Sequence, residues 1–172
     1  VDESDGNGIY VENSFSADVE YNDINKEVSG ADSRENGIYV KNSNYADVKY
    51  NEVDDSKKNG IYVSGSDNAE INGNDVDDSG RNGILVNPSD YVDIIGNTVD
   101  DSNWDGIKVE YGKYADIKFN NVTDSGDDGI DVRSSGDIAL RGDSGDVSFA
   151  SALRGAEAAA LSLNSYGKCR WR

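Results

Sequence analysis

Asn59-Gly60-Ile61-Tyr62-Val63 reads as a tight turn running into a short strand, and the same phrase keeps returning along the chain. NGIYV stands at 7–11, 36–40 and 59–63, becomes NGILV at 82–86, and drifts to DGIKV at 105–109 and DGIDV at 128–132. The Gly-Ile steps lie 29, 23, 23, 23 and 23 residues apart. A fixed period of roughly 20–50 residues is the signature of a stacked repeat, in which each unit contacts only its neighbours.

Aligned on these steps, the chain shows apolar residues in register. Ile and Val of GIxV alternate with an outward residue, which is strand periodicity; they are Ile9/Val11, Ile38/Val40, Ile61/Val63, Ile84/Val86, Ile107/Val109 and Ile130/Val132. A second column holds Val19, Val48, Ile71, Ile94, Ile117 and Ile138, and a third holds Val1, Ile24, Val53, Val76, Val99 and Val122. Ala17, Ala46, Ala69, Val92 and Ala115 fill a smaller inward position. Three short strands per coil, each paired in parallel with its equivalent one coil on, describe a solenoid. The predicted fold is all-β: a right-handed, single-stranded parallel β-helix of about six 23-residue coils over 1–146, with a helical or irregular cap or tail at 147–172.

One polar column accompanies the apolar ones. Asn22, Asn51, Asn74, Asn97 and Asn120 each follow the second column by three residues. Asparagine suits tight corners, and stacked amides can bond one another along the axis. Arg141 stands three residues after Ile138, so the ladder is expected to break in the last coil.

Composition narrows the function. The 172 residues are 35% hydrophobic and carry a net charge of −18, with no His, no Met and one Cys. Such acidity argues against nucleic acid as a partner, since phosphate binding needs clustered Lys and Arg. No intrachain disulfide or Cys/His zinc site can form, and no apolar run is long enough to span a bilayer. The chain begins inside a coil at Val1, so missing N-terminal coils or end-to-end self-association at that strand edge are expected. Residues 25–35 carry six extra residues and form a candidate surface loop.

The NGIYV…ADVxYNxV unit resembles the right-handed β-helix repeats of pectate-lyase-like proteins, of surface proteins with carbohydrate-binding and sugar-hydrolysis repeats, and of NosD-type periplasmic proteins. The resemblance implies an extracellular, cell-surface or periplasmic setting and a polysaccharide or surface glycan as partner. It does not choose among lyase, epimerase, binding module and passive spacer.

Acidic columns come next. Asp55, Asp78, Asp101 and Asp124 share one position, Asp54, Asp77 and Asp100 its neighbour, and Asp18, Asp47, Glu70, Asp93 and Asp116 a third. Like charges stacked at ~4.8 Å repel by ~1 kcal/mol in water. Calcium, which takes oxygen ligands, would relieve this; Lys49 and Lys118 offer local neutralisation of the third column. The expected metal cluster is Asp105, Asp124, Asp127, Asp128 and Asp131.

DDGID at 127–131 resembles one step of the polygalacturonase motif through Asp128 and Asp131. The other steps, including the His, are missing. A calcium-dependent lyase of the pectate-lyase-like type would need less: Asp-held calcium, with Asp131 and Arg133 as candidate catalytic residues. The other lead is aromatic. Tyr10, Tyr39 and Tyr62 occupy the outward position of GIxV, and Tyr45, Tyr91 and Tyr114 a nearby column, as candidate glycan-binding residues. The sequence reading is a glycan-binding or calcium-stabilised surface or filament module, with the lyase as its alternative.

Overall fold

The computed structural model describes residues 6–24, 35–133 and 136–144, and the backbone of 147–149 and 169–171. It is a parallel β-solenoid of three sheets, with no helix among the described residues. The first sheet stacks Ile9–Glu12, Ile38–Lys41, Ile61–Ser64, Ile84–Val86, Ile107–Glu110 and Ile130–Arg133, then Val147–Phe149 and Cys169–Trp171. The second runs from Asp18–Glu20 to Ile138–Arg141, and the third from Asp23–Ile24 to Asn121–Val122. Every pairing is parallel and joins equivalent positions, as in Tyr39↔Tyr62 and Asp93↔Asp116. Four 23-residue coils separate Gly37 from Gly129, after one longer step. Residues 150–168 of the expected cap or tail, the 25–34 part of the inserted loop and the Val1 edge lie outside the described residues.

The three apolar columns form one continuous core. Ile38, Val40, Val48, Ile61, Ile71, Ile84, Ile94, Ile107, Ile117 and Ile130 are fully buried. Branched residues dominate because their stiff side chains fit the pleated inner face of a short strand. At the turn, glycine is required by close approach. A Cβ on Gly60 would collide with Val76 and with the hydroxyl of Ser79, and the same arrangement recurs at Gly37, Gly83 and Gly106.

The asparagine ladder is present and buried. The Asn51 side chain donates to Asn74 Oδ1, Asn74 to Asn97 and Asn97 to Asn120, each at 2.9 Å. Each lower backbone N–H donates to the same oxygen. The expected break at Arg141 does not occur. Ile117 pairs with Leu140, while Ile138 pairs with Ala115 and belongs to the small inward column. The ladder position is therefore Asp143, whose Oδ1 accepts from the backbone and side chain of Asn120 at 2.9 and 2.8 Å. All the ladder amides donate toward this end, so an acceptor-only carboxylate suits the last place.

Candidate functional site

A second ladder runs up the turn before the first sheet, and the sequence reading missed it. Asn36 donates to Asn7 Oδ1 at 2.8 Å, Asn59 to Asn36 at 2.9 Å and Asn82 to Asn59 at 3.0 Å. This ladder points the opposite way, and the next two rungs are Asp105 and Asp128. A carboxylate has no N–H2 to pass on. Asn59 Oδ1 accepts from both the backbone and side chain of Asn82, whereas Asn82 Oδ1 accepts only the Asp105 backbone N–H, at 3.3 Å. The signal was legible: Asn precedes Gly in four coils and Asp in the last two.

The outward column of the first sheet changes at the same rungs, from Tyr10, Tyr39, Tyr62 and Leu85 to Lys108 and Asp131. Lys108 Nζ lies 2.6 Å from Asp105 Oδ2 and 2.9 Å from Asp131 Oδ2, with Glu110 at 3.8 Å. Arg133 Nε meets Asp131 Oδ2 at 2.8 Å. Asp105 and Asp131 are each 1% exposed. Burial pushes the Asp105 carboxyl above its ordinary range, outweighing the hydrogen bond from Lys108. Burial alone would lower Lys108, but its bonds to Asp105 and Asp131 hold it above the usual lysine value. Arg133 is raised by Asp131 against its own desolvation. Both cations are thus held charged, which suits them to binding and charge stabilisation better than to proton abstraction.

Of the five residues expected to form a metal cluster, three converge. Carboxylate oxygens of Asp105, Asp127 and Asp128 lie within 4.8 Å of one another. Asp131 turns to Lys108 and Arg133, and Asp124 sits exposed at φ 46° on the corner. Three carboxylates fit a hard cation in kind and supply about half of the six to eight oxygens calcium takes.

The tyrosines form stacks. Tyr39 packs on Tyr62 with ring centroids 4.6 Å apart and on Tyr10 at 5.2 Å; Tyr91 packs on Tyr114 at 4.8 Å and Tyr45 on Phe15 at 5.1 Å. Much of the ring face available for a sugar is occupied by a neighbouring ring. Three members of the third acidic column are neutralised locally: Lys49 bridges Asp47 and Glu70 at 2.9 and 2.7 Å, and Lys118 and Arg141 hold Asp116.

The fold and its internal register define a right-handed β-helix protein. The family model for the right-handed β-helix region matches residues 36–143, and the chain belongs to that family. Among solved structures it is similar to a crystal structure of a double mutant of the periplasmic alginate epimerase AlgG, with 19% identity and a TM-score of 0.72. The match covers 96% of this chain and 46% of that one, so the chain spans less than half of the epimerase; at this identity the likeness is one of fold. No curated protein matches. Among the described residues no helix is long and apolar enough to cross a membrane.

Proposed function

We propose that this chain is the glycan-interaction module of a cell-surface, extracellular or periplasmic protein, binding carbohydrate on the outer face of the first sheet around Lys108, Glu110, Asp131 and Arg133. One observation carries the reading. At these rungs the repeat abandons its own stabilising residues, amide for carboxylate in the ladder and tyrosine for lysine or aspartate on the face. Buried ion pairs recover their desolvation cost poorly, so such a substitution is an unfavourable way to build a coil. Places where a sequence breaks its own local rules are candidate functional sites. Buried Asp105 and Asp131 hold Lys108 and Arg133 in place, and the accessible Arg133 and Glu110 offer a fixed donor and acceptor to the hydroxyls of a sugar. Likeness in fold to a periplasmic alginate epimerase supports a polysaccharide partner and a periplasmic or external setting.

The test is isothermal titration with neutral oligosaccharides and uronate polymers, each with and without calcium. A saturable heat lost at least tenfold in Lys108→Met supports the module. No heat with any glycan, in protein shown to be folded, would refute it and leave a structural role.

The convergence of Asp105, Asp127 and Asp128 favours a second reading, a calcium-dependent polysaccharide lyase. Those three carboxylates would hold the ion, which would acidify the sugar carbon beside a uronate. Arg133, paired to a buried carboxylate, is a poor base, so this reading needs another proton acceptor. Unsaturated uronate absorbance that appears with calcium and disappears in Asp128→Asn would establish it.

A further inference from the structure

Among the described residues ten aromatic side chains are exposed, and seven of them are packed on another ring. Among the described residues three exposed rings enter no ring–ring stack: Trp104, Tyr111 and Phe119. Phe119 lies on another corner, where its ring covers Gly142. Trp104 and Tyr111 sit on either side of the charged strand. Trp104 immediately precedes Asp105, Tyr111 immediately follows Glu110, and both belong to the coil that carries Lys108. Trp104 is 49% exposed and Tyr111 71%. The Arg81 guanidinium lies 5.1 Å from the Trp104 ring centroid, a cation–π contact that holds the indole on one side. Tyr111 is fixed from the backbone, in the left-handed region at φ 56°, with its N–H bonded to the Arg133 carbonyl at 3.1 Å.

We propose that Trp104 and Tyr111 are sugar-stacking platforms bracketing the charged strand, and that the glycan they select is a neutral oligosaccharide lying along the strand. This rests on the glycan-binding reading of the same site. The two residues are seven positions apart, at most about 23 Å along an extended chain, which suits an oligosaccharide better than a single sugar. Aromatic faces supply apolar contact to the C–H face of a sugar ring, while polar groups between them fix its orientation. The polar groups here are mostly acceptors. Five carboxylates, Asp105, Glu110, Asp127, Asp128 and Asp131, stand on these two rungs beside the cations Lys108 and Arg133, and the whole chain carries −18. Sugar hydroxyls can donate to the accessible carboxylates, Glu110 and Asp127, whereas a uronate polymer would be repelled by the cluster.

The test uses the full chain, with EDTA present, titrated with neutral β-linked hexasaccharides of glucose, mannose and xylose, and separately with alginate and polygalacturonate fragments. Trp104→Ala and Tyr111→Ala should each weaken neutral binding at least tenfold. Trp104→Phe and Tyr111→Phe should keep most of it, and Tyr50→Ala, on another corner, should leave it unchanged. Thermal melts of the Trp104 and Tyr111 variants should stay close to wild type, whereas Tyr50→Ala, which loses its stack on Tyr21, should melt lower while binding is kept. Neutral binding indifferent to both alanine changes, or binding confined to uronate polymers, would overturn this inference and leave the broader module standing. Absence of binding to every glycan would overturn both.

Discussion

Asn97→Ala removes the middle of the first amide ladder, and the structure sets the size of the effect. Asn97 Oδ1 accepts the backbone N–H and a side-chain N–H of Asn74, both at 2.9 Å. Its own amide donates to the Ile71 carbonyl at 3.0 Å and to Asn120 Oδ1 at 2.9 Å. Asn74, Asn97 and Asn120 are at most 2% exposed, so water cannot replace the lost acceptor. The variant orphans two buried donors on Asn74. At about 1–3 kcal/mol each, the expected loss is about 2–6 kcal/mol, a large part of the stability of an ordinary domain. Exposed Thr98 in the same coil should cost under about 0.5 kcal/mol when changed to Ala. Urea unfolding of the two variants beside wild type measures the difference. Amide hydrogen exchange at Asn74 should rise in the first variant alone, because repeat arrays can open locally. An Asn97→Ala protein within about 0.5 kcal/mol of wild type would refute the view that the ladder holds the coils together.

Three further outcomes follow from the same geometry. Asp143→Asn should cost about 1–2 kcal/mol in the same assay, because its Oδ2 accepts the Arg141 N–H at 3.2 Å and an amide there would oppose donor to donor; a neutral result would mean the ladder has no directional end. Burial raises the carboxyls of Asp105 and Asp143, so each holds its proton more tightly when folded. That stability is complete below the ordinary aspartate pKa of about 4 and is lost as pH rises through the folded values, so at constant ionic strength the protein should resist urea better near about pH 5 than near about pH 8. Glu70 and Asp116, held low by Lys49 and Lys118, act in the opposite sense, but they are partly exposed and screened; stability rising toward pH 8 would show that the buried carboxyls do not dominate. Tyr39→Ala, which breaks two ring contacts, should lower stability by about 1–2 kcal/mol, whereas Tyr111→Ala should leave it unchanged; equal losses would contradict the assignment of the tyrosine stripe to packing.

The solenoid was legible because its signal is redundant. Six copies of GIxV and three apolar columns each state the same register, so one ambiguous residue does little harm. Where redundancy ran out, the reading slipped. In the last coil Ile138 and Leu140 compete for one column, and spacing alone chose the wrong one; the true register puts Asp143, an isostere of Asn, on the ladder. The site was legible in part. Asp105, Asp127 and Asp128 could be grouped from their places in the repeat, but Lys108 was overlooked because its partners come from two different rungs. Asp124 was grouped with them on closeness in sequence, yet a left-handed corner turns it away. Tyrosines in register read equally well as a sugar platform or as a stack, and only ring distances separate the two.

Asp105→Asn gives the most direct test of the central claim, that the Asp105–Lys108–Asp131 cluster is kept at the expense of stability. The amide would donate to Asn82 Oδ1 as Asn36, Asn59 and Asn82 donate to the rungs before them, and it would remove a buried charge; it gives up the bond from Lys108, which keeps Asp131 at 2.9 Å. Equilibrium urea unfolding near neutral pH should show the variant more stable than wild type by about 1 kcal/mol or more, with an unchanged denaturant slope. A variant less stable than wild type would mean that the cluster holds the coil together, and the case for a binding site at these rungs would lose its main support.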